Sequence, residues 1–184
     1  MVTDYVSLML INMAAGLFIL ASFILTDINK QNNQCWAPAF ALPGLIAAVC
    51  GFAMIFSRPL PNPYNIAYGE PSVLLGFLFL AAAWSLVKGW PLLPLGIYSF
   101  FAGIVGVVIG ARFIYLGLAL PPIVPGIAFI LTGSGGIFAE LVLAAKKQIW
   151  LRVIGFFVLT AAAVIWALLA YYEYWIHLQP PANT

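Results

Sequence analysis

Apolar residues run through this chain in blocks of about 20, the length a helix needs to cross roughly 30 Å of hydrocarbon, and short polar or proline-rich stretches separate the blocks. Six spans are predicted, over residues 5–26, 37–57, 70–88, 93–115, 121–145 and 150–173. Membrane strands would show shorter, alternating runs. The pattern therefore predicts an all-α fold, a polytopic transmembrane helix bundle forming a single domain over residues 1–184.

Polar and helix-breaking residues set the boundaries. The first span ends at the polar stretch from Asp27 to Gln34, and the second near Arg58, where Pro59, Pro61 and Pro63 exclude regular helix. The third opens at Glu70-Pro71, with Pro71 suited to a first helical turn and Glu70 to the positive end of the helix dipole. Later boundaries follow from Lys88-Gly89-Trp90-Pro91, from Leu120-Pro121-Pro122 and from Lys146 to Arg152. Met1 to Tyr5 lead straight into apolar sequence, with neither a basic leader nor a small-residue cleavage site, so the first span is expected to be retained.

Composition agrees with the pattern. Hydrophobic residues make up 65% of the chain and charged residues 7%, and the mean hydropathy is +1.09. Too few polar groups exist to cover a water-soluble surface, so the lipid bilayer is the expected partner. The net charge of +2 rests on few groups and excludes a nucleic-acid-binding patch. Lys30, Lys88, Lys146, Lys147 and Arg152 follow spans one, three and five, against Arg58 and Arg112 on the other side. That imbalance predicts both termini on the non-cytoplasmic side. Trp36, Trp90 and Trp150 then lie at one interface, and Tyr171, Tyr172, Tyr174 and Trp175 at the other.

Two internal patterns bear on assembly. Pro43-Gly44, Gly51 and Ile55-Phe56 of span two recur at a constant offset as Pro125-Gly126, Gly133 and Ile137-Phe138 of span five. Three spans separate the copies, which is the spacing of a 3+3 inverted repeat as found in transporters. Chance matching among abundant Gly, Ile and Phe is the competing explanation. In span four, Ala102, Gly106 and Gly110 line one helix face, a seam for close packing inside the monomer, in a homo-oligomer or against a membrane-complex partner.

Candidate chemistry is sparse. Span five carries Thr132-Gly133-Ser134-Gly135-Gly136, whose glycines weaken a helix near mid-bilayer. The stretch reads either as a local break whose open backbone groups, with Thr132 and Ser134, form a solute or ion site, or as a tightly packed crossing. Glu140 lies six residues before Lys146, about 9 Å inside the boundary. A carboxylate there must be protonated, paired or wetted, so it reads as a proton carrier, a cation ligand or a snorkelling side chain. Asp4, Arg58, Glu70, Arg112, Glu173 and His177 fall near the opposite surface, as a structural ion-pair cap or a substrate or metal vestibule.

No cofactor or metal is expected. His177 is the only histidine, and no clustered Cys/His pattern supports zinc, haem or an iron–sulfur centre. Cys35 and Cys50 would stand about 22 Å apart on one helix, too far for a disulfide. No nucleophile motif is present, since Gly133-Ser134-Gly135 is too generic, so catalysis is not the leading expectation.

The short loops, Tyr68-Gly-Glu70-Pro71-Ser-Val-Leu-Leu-Gly76 and Gly133-Ser-Gly-Gly-Ile-Phe-Ala-Glu140 together resemble a family of predicted prokaryotic polytopic membrane proteins known only as a domain of unknown function. The resemblance implies a multi-pass protein of the prokaryotic cytoplasmic membrane and supplies no activity. From the residues, the leading expectation is a small-solute or ion translocator with its site near an interrupted fifth span. The alternative is a non-catalytic membrane subunit packed in a larger respiratory or oxidative complex.

Overall fold

The computed structural model describes residues 5–26, 28, 33–119, 121–145 and 147–178. These form six helices: α1 (Val6–Thr26), α2 (Ala37–Ser57), α3 (Asn62–Lys88), α4 (Leu93–Leu116), α5 (Ile123–Ala144) and α6 (Ile149–His177), with a short 3-10 turn, Gln34–Trp36, ahead of α2. All six are long and apolar enough to cross a membrane. Large apolar side chains such as Leu42, Val49, Phe77, Phe101, Phe157 and Leu168 face outward, as expected where lipid is the solvent.

The third helix departs most from the expected boundaries. It begins at Asn62 and not at residue 70, so Pro71 lies inside the helix and Glu70 in its third turn. Pro63 takes one of the first two helical positions, where a missing N–H costs nothing. The Asn65 side chain both accepts from the Leu60 N–H and donates to the Leu60 carbonyl, clasping the turn that starts the helix. Prolines thus confine the break to the few residues after Ser57, where Arg58 adopts a left-handed conformation with φ of 47°.

The fifth helix also differs from expectation. No break interrupts it: α5 is continuous through Thr132, Gly133, Ser134, Gly135 and Gly136. Its glycines are held by a neighbour instead. A Cβ on Gly103 of α4 would stand 2.6 Å from the Ile137 nitrogen, and one on Gly136 would stand 2.9 Å from the Ser99 carbonyl oxygen. Such backbone-to-backbone approach replaces lost helix propensity with dispersion contact along the whole crossing.

The α4 seam runs through Gly96, Gly103, Gly106 and Gly110, all against α5. That spacing keeps one stripe on a helix of 3.6 residues per turn. Ala102 lies off the stripe and faces Leu74 and Leu78 of α3 across a small cavity. Gly106 and Gly110 are therefore spent inside the monomer. A second seam joins α2 to α3, where Gly76 meets Ala48 and Gly51 meets Gly69 and Val73. The third close pair is α1 with α6, which buries Ala14 and Ala21 on one side and Ala162, Ala163 and Ala170 on the other.

Successive helices are neighbours and α6 returns to α1, giving a ring of three antiparallel pairs. This order bears on the candidate 3+3 repeat. If α4–α6 repeated α1–α3, Gly126 and Gly133 of α5 would meet α6 as Gly44 and Gly51 of α2 meet α3; they meet α4, whereas Gly135, which has no counterpart among the shared positions, meets Leu159 of α6. The positions shared by spans two and five are one packing device used in two hairpins.

Asn12 and Arg152 are among the polar side chains that tie neighbouring helices. Asn12, buried in α1, donates to the Pro43 carbonyl at 3.0 Å, beside the proline that interrupts the α2 ladder. Arg152 at the start of α6 is buried, and its guanidinium donates to the carbonyls of Ile24 and Leu25 at the end of α1. Cys35 and Cys50 are free thiols.

Candidate functional site

The axis of the ring is not filled. A cavity of about 120 Å³ is walled by residues from all six helices, including Leu17, Phe40, Phe79, Ser99, Thr132 and Leu159. A smaller void shares Ser99, Thr132 and Gly136 with it and adds Met13, Pro71 and Phe129. The next shares Met13, Pro71 and Phe129 and adds Tyr68 and Trp166. Beyond Tyr68 lies a vestibule of about 350 Å³ at the end of the bundle where α1 begins and α6 ends.

Among the described lining residues of the central cavity, two carry side-chain hydroxyls, Ser99 and Thr132. Both are already engaged. Thr132 donates to the Ala128 carbonyl at 2.8 Å and accepts from the Trp166 indole N–H at 3.0 Å; Ser99 donates to the Gly136 carbonyl at 3.1 Å. An apolar space of this kind favours hydrocarbon over water, since a trapped water needs two to four polar partners. A bare ion would meet no ligand set here.

Thr132→Val is expected to cost about 1–2 kcal/mol, because it leaves the Trp166 N–H buried without an acceptor. Thermal unfolding of Thr132→Val, Trp166→Phe and the double variant checks this. The double variant should be less destabilised than the sum of the singles.

Helical geometry separates the three residues singled out in span five. Thr132, Gly135, Gly136, Ala139 and Leu143 share the face that lines the cavity. Ser134 and Glu140 are absent from that lining and half-buried. Ser134 is two positions from Thr132, roughly 200° around the helix. Glu140 continues the seam through Gly126 and Gly133, with its backbone against Gly96. A site combining Thr132, Ser134 and Glu140 is therefore not assembled.

The charged cluster at the terminal end divides as well. Arg58 and Glu70 border one small pocket with Asn62 and Asn65. Arg112 lies over the Tyr115 ring at 5.4 Å. Glu173 and His177, one turn apart on α6, approach to 3.7 Å, and Glu173 also lines the vestibule. Asp4 is outside the described residues, as are Lys30 and Lys146.

Tyrosines join the site although the sequence pattern marks Tyr172 only as an interface residue and gives Tyr64 and Tyr68 no site role. Tyr64, Tyr68 and Tyr172 line the vestibule around Glu173. Tyr64 donates its hydroxyl to the Leu118 carbonyl, tying the start of α3 to the α4–α5 connection. Tyr68 packs on Phe113 and Phe129, and Phe129 packs edge-on against Trp166 at 4.8 Å. These rings stand between the vestibule and the central cavity. The signal was the four-residue spacing of Tyr64 and Tyr68, which only puts both on one face once that stretch is helical.

A family model described as "Protein of unknown function (DUF981)" matches residues 1–180. No curated protein and no solved structure matches the chain.

Proposed function

The chain belongs to the DUF981 family, whose function is unknown, so we propose a role from its own geometry: translocation of a small, largely apolar or amphipathic solute along the axis of the six-helix ring. One observation carries the reading. The cavities form a series from the Ile28 and Leu92 end to the Tyr172 and Glu173 end, each sharing wall residues with the next. Phe129, Met13 and Tyr68 stand at the junctions, so this conformation is the closed one. Side-chain rotation and small shifts between the three helix pairs would open the path, within the range of ordinary collective motion.

The apolar walls favour a solute with hydrocarbon surface over a hydrated ion. Glu140 then acts away from the path, as an anchor near the lysine-bearing end, and Thr132 as the wall's polar point. Orientation follows from the basic residues: with five on one side against two, the vestibule faces outward from the cytoplasm of a cell membrane. The accessory-subunit reading drew on a small-residue seam as one of its two supports, and Gly106 and Gly110 of that seam pack on α5.

Cysteine accessibility tests the path without knowledge of the solute. In a background carrying Cys35→Ser and Cys50→Ser, Ser99→Cys and Thr132→Cys are expected to react in proteoliposomes with a small uncharged reagent, methyl methanethiosulfonate, at the rate at which the path opens. Phe157→Cys, on the lipid-facing side of α6, should stay inert. Equal inertness at all three positions overturns the reading.

A further inference from the structure

The vestibule contains one charged side chain among its described lining residues, the Glu173 carboxylate, which shares the wall with Tyr64, Tyr68 and Tyr172. Carboxylate and tyrosine together form the chemistry that recognises an organic cation: the ring faces attract positive charge without demanding directed hydrogen bonds, and the carboxylate adds the Coulombic part. We propose that the vestibule is a binding site for a lipophilic organic cation, a quaternary ammonium or phosphonium type with hydrocarbon substituents. This names the solute class for the path proposed above; it rests on that reading for the onward route, not for the binding.

Size and polarity agree. A space of about 350 Å³ takes a group far larger than a metal ion. The rest of the wall is Val6, Leu10, Leu60, Pro125, Leu169 and similar apolar surface, which suits hydrocarbon substituents and offers a small hydrated cation nothing to replace its water. Directional donors are scarce, since the Tyr64 hydroxyl is already committed to the Leu118 carbonyl. An anion is disfavoured by the carboxylate, and a neutral solute gains nothing from it.

The partner of Glu173 among the described residues does not block the site. His177 lies 3.7 Å away, beyond hydrogen-bonding distance, and both side chains are well exposed. Ion pairs in that setting contribute little. A cation entering the vestibule exchanges a loose, solvated contact for an aromatic-walled one. Below the site, Tyr68 and Leu10 form the floor and are shared with the void that leads inward, so a bound cation would sit directly on the first constriction.

Tetraphenylphosphonium and tetraphenylborate, which have nearly the same size and shape and opposite charge, make the test. Binding to the full chain in nanodiscs is measured over empty discs of the same lipid. Tetraphenylphosphonium is expected to bind saturably and tetraphenylborate not to. Glu173→Gln should weaken the phosphonium by about tenfold or more and leave the borate unchanged, and Tyr172→Leu should weaken it severalfold. Thermal unfolding shows whether each variant keeps the native bundle, and Glu173→Asp, which retains the charge, should keep most of the affinity. Saturable borate binding as tight as that of the phosphonium, or a folded Glu173→Gln variant with unchanged phosphonium affinity, overturns the proposal. Discs of phosphatidylcholine and of the uncharged digalactosyldiacylglycerol, which differ in the ammonium group and not in net surface charge, separate the sources of the cation: weaker phosphonium binding in phosphatidylcholine means that lipid ammonium headgroups occupy the same site, and equal binding means a free solute. If the phosphonium site behaves as expected while Ser99→Cys and Thr132→Cys stay inert, the cation site stands and the translocation path falls.

Discussion

Gly133→Val in α5 is expected to abolish the native bundle, giving no monodisperse species in mild detergent or a large fall in Tm. A Cβ at this position would stand against the Gly103 carbonyl oxygen and 2.7 Å from the Val107 nitrogen. Both are backbone atoms of α4, so no side-chain rotation relieves the contact; the helices must separate along a crossing that also depends on Gly110, Gly126 and Gly136. Overpacking usually costs about 1–3 kcal/mol. Here the strain spreads to the neighbouring contacts, and about 3 kcal/mol or more is expected. The propensity gained by removing a helical glycine, up to about 1 kcal/mol, has the opposite sign and is too small to compensate. Gly155→Ala in α6 is the control, because its Cβ meets nothing closer than 3.9 Å, and it should leave Tm unchanged or slightly raised. A wild-type Tm for Gly133→Val would remove the seam from the account of this fold.

The contrast between the two glycines shows what one sequence can and cannot reveal. Apolar block length was enough to place five of the six helices to within a few residues, because crossing hydrocarbon sets that length whatever the helices pack against. The third escapes because Pro59, Pro61 and Pro63 in sequence point to a break, whereas Pro63 falls in the first turn of the helix. The Asn65 clasp that fixes that turn is a contact between residues five apart and leaves no periodic trace. Glycines in spans four and five were visible, but whether Gly133 breaks its helix or seats a neighbour depends on the partner backbone, which sequence does not display.

The same holds for the candidate site. Thr132 could be picked out as a polar residue at depth, and the structure does set it in the axial wall. Ser134 and Glu140 were grouped with it by closeness in sequence, and helical rotation separates them. Glu173 was grouped with five other charged residues by depth alone. Its tyrosine neighbours come from the start of α3 and the end of α6, more than a hundred positions apart, and no local pattern joins them.

Arg152 carries the second large effect. The last carbonyls of any helix lack intrahelical donors, and at the end of α1 they are met in three places. The Ile28 N–H reaches the Phe23 carbonyl at 3.0 Å, while the Arg152 guanidinium serves both Ile24 and Leu25. Arg152→Met keeps the aliphatic stem and removes every donor. Each hydrogen bond to a charged group contributes about 1.5–3 kcal/mol, and the recovered desolvation of a buried guanidinium offsets part of the loss. A net destabilisation of about 2–3 kcal/mol is expected, read as a lower Tm in detergent. The position within the ring makes the loss specific. Loops join α2 to α3 and α4 to α5, but α1 and α6 lie at opposite ends of the chain, and only side chains hold them together. Hydrogen exchange at the amides near Ile24 and Ile28 should therefore accelerate in Arg152→Met more than exchange in α4 or α5. Arg152→Lys, with one cationic donor group in place of a fork, should fall between. Uniform acceleration across all six helices would mean general loosening and not an opened α1–α6 joint. A residue that counts as one of five basic topology signals thus also closes the ring, and four basic residues remain to set orientation when it is replaced.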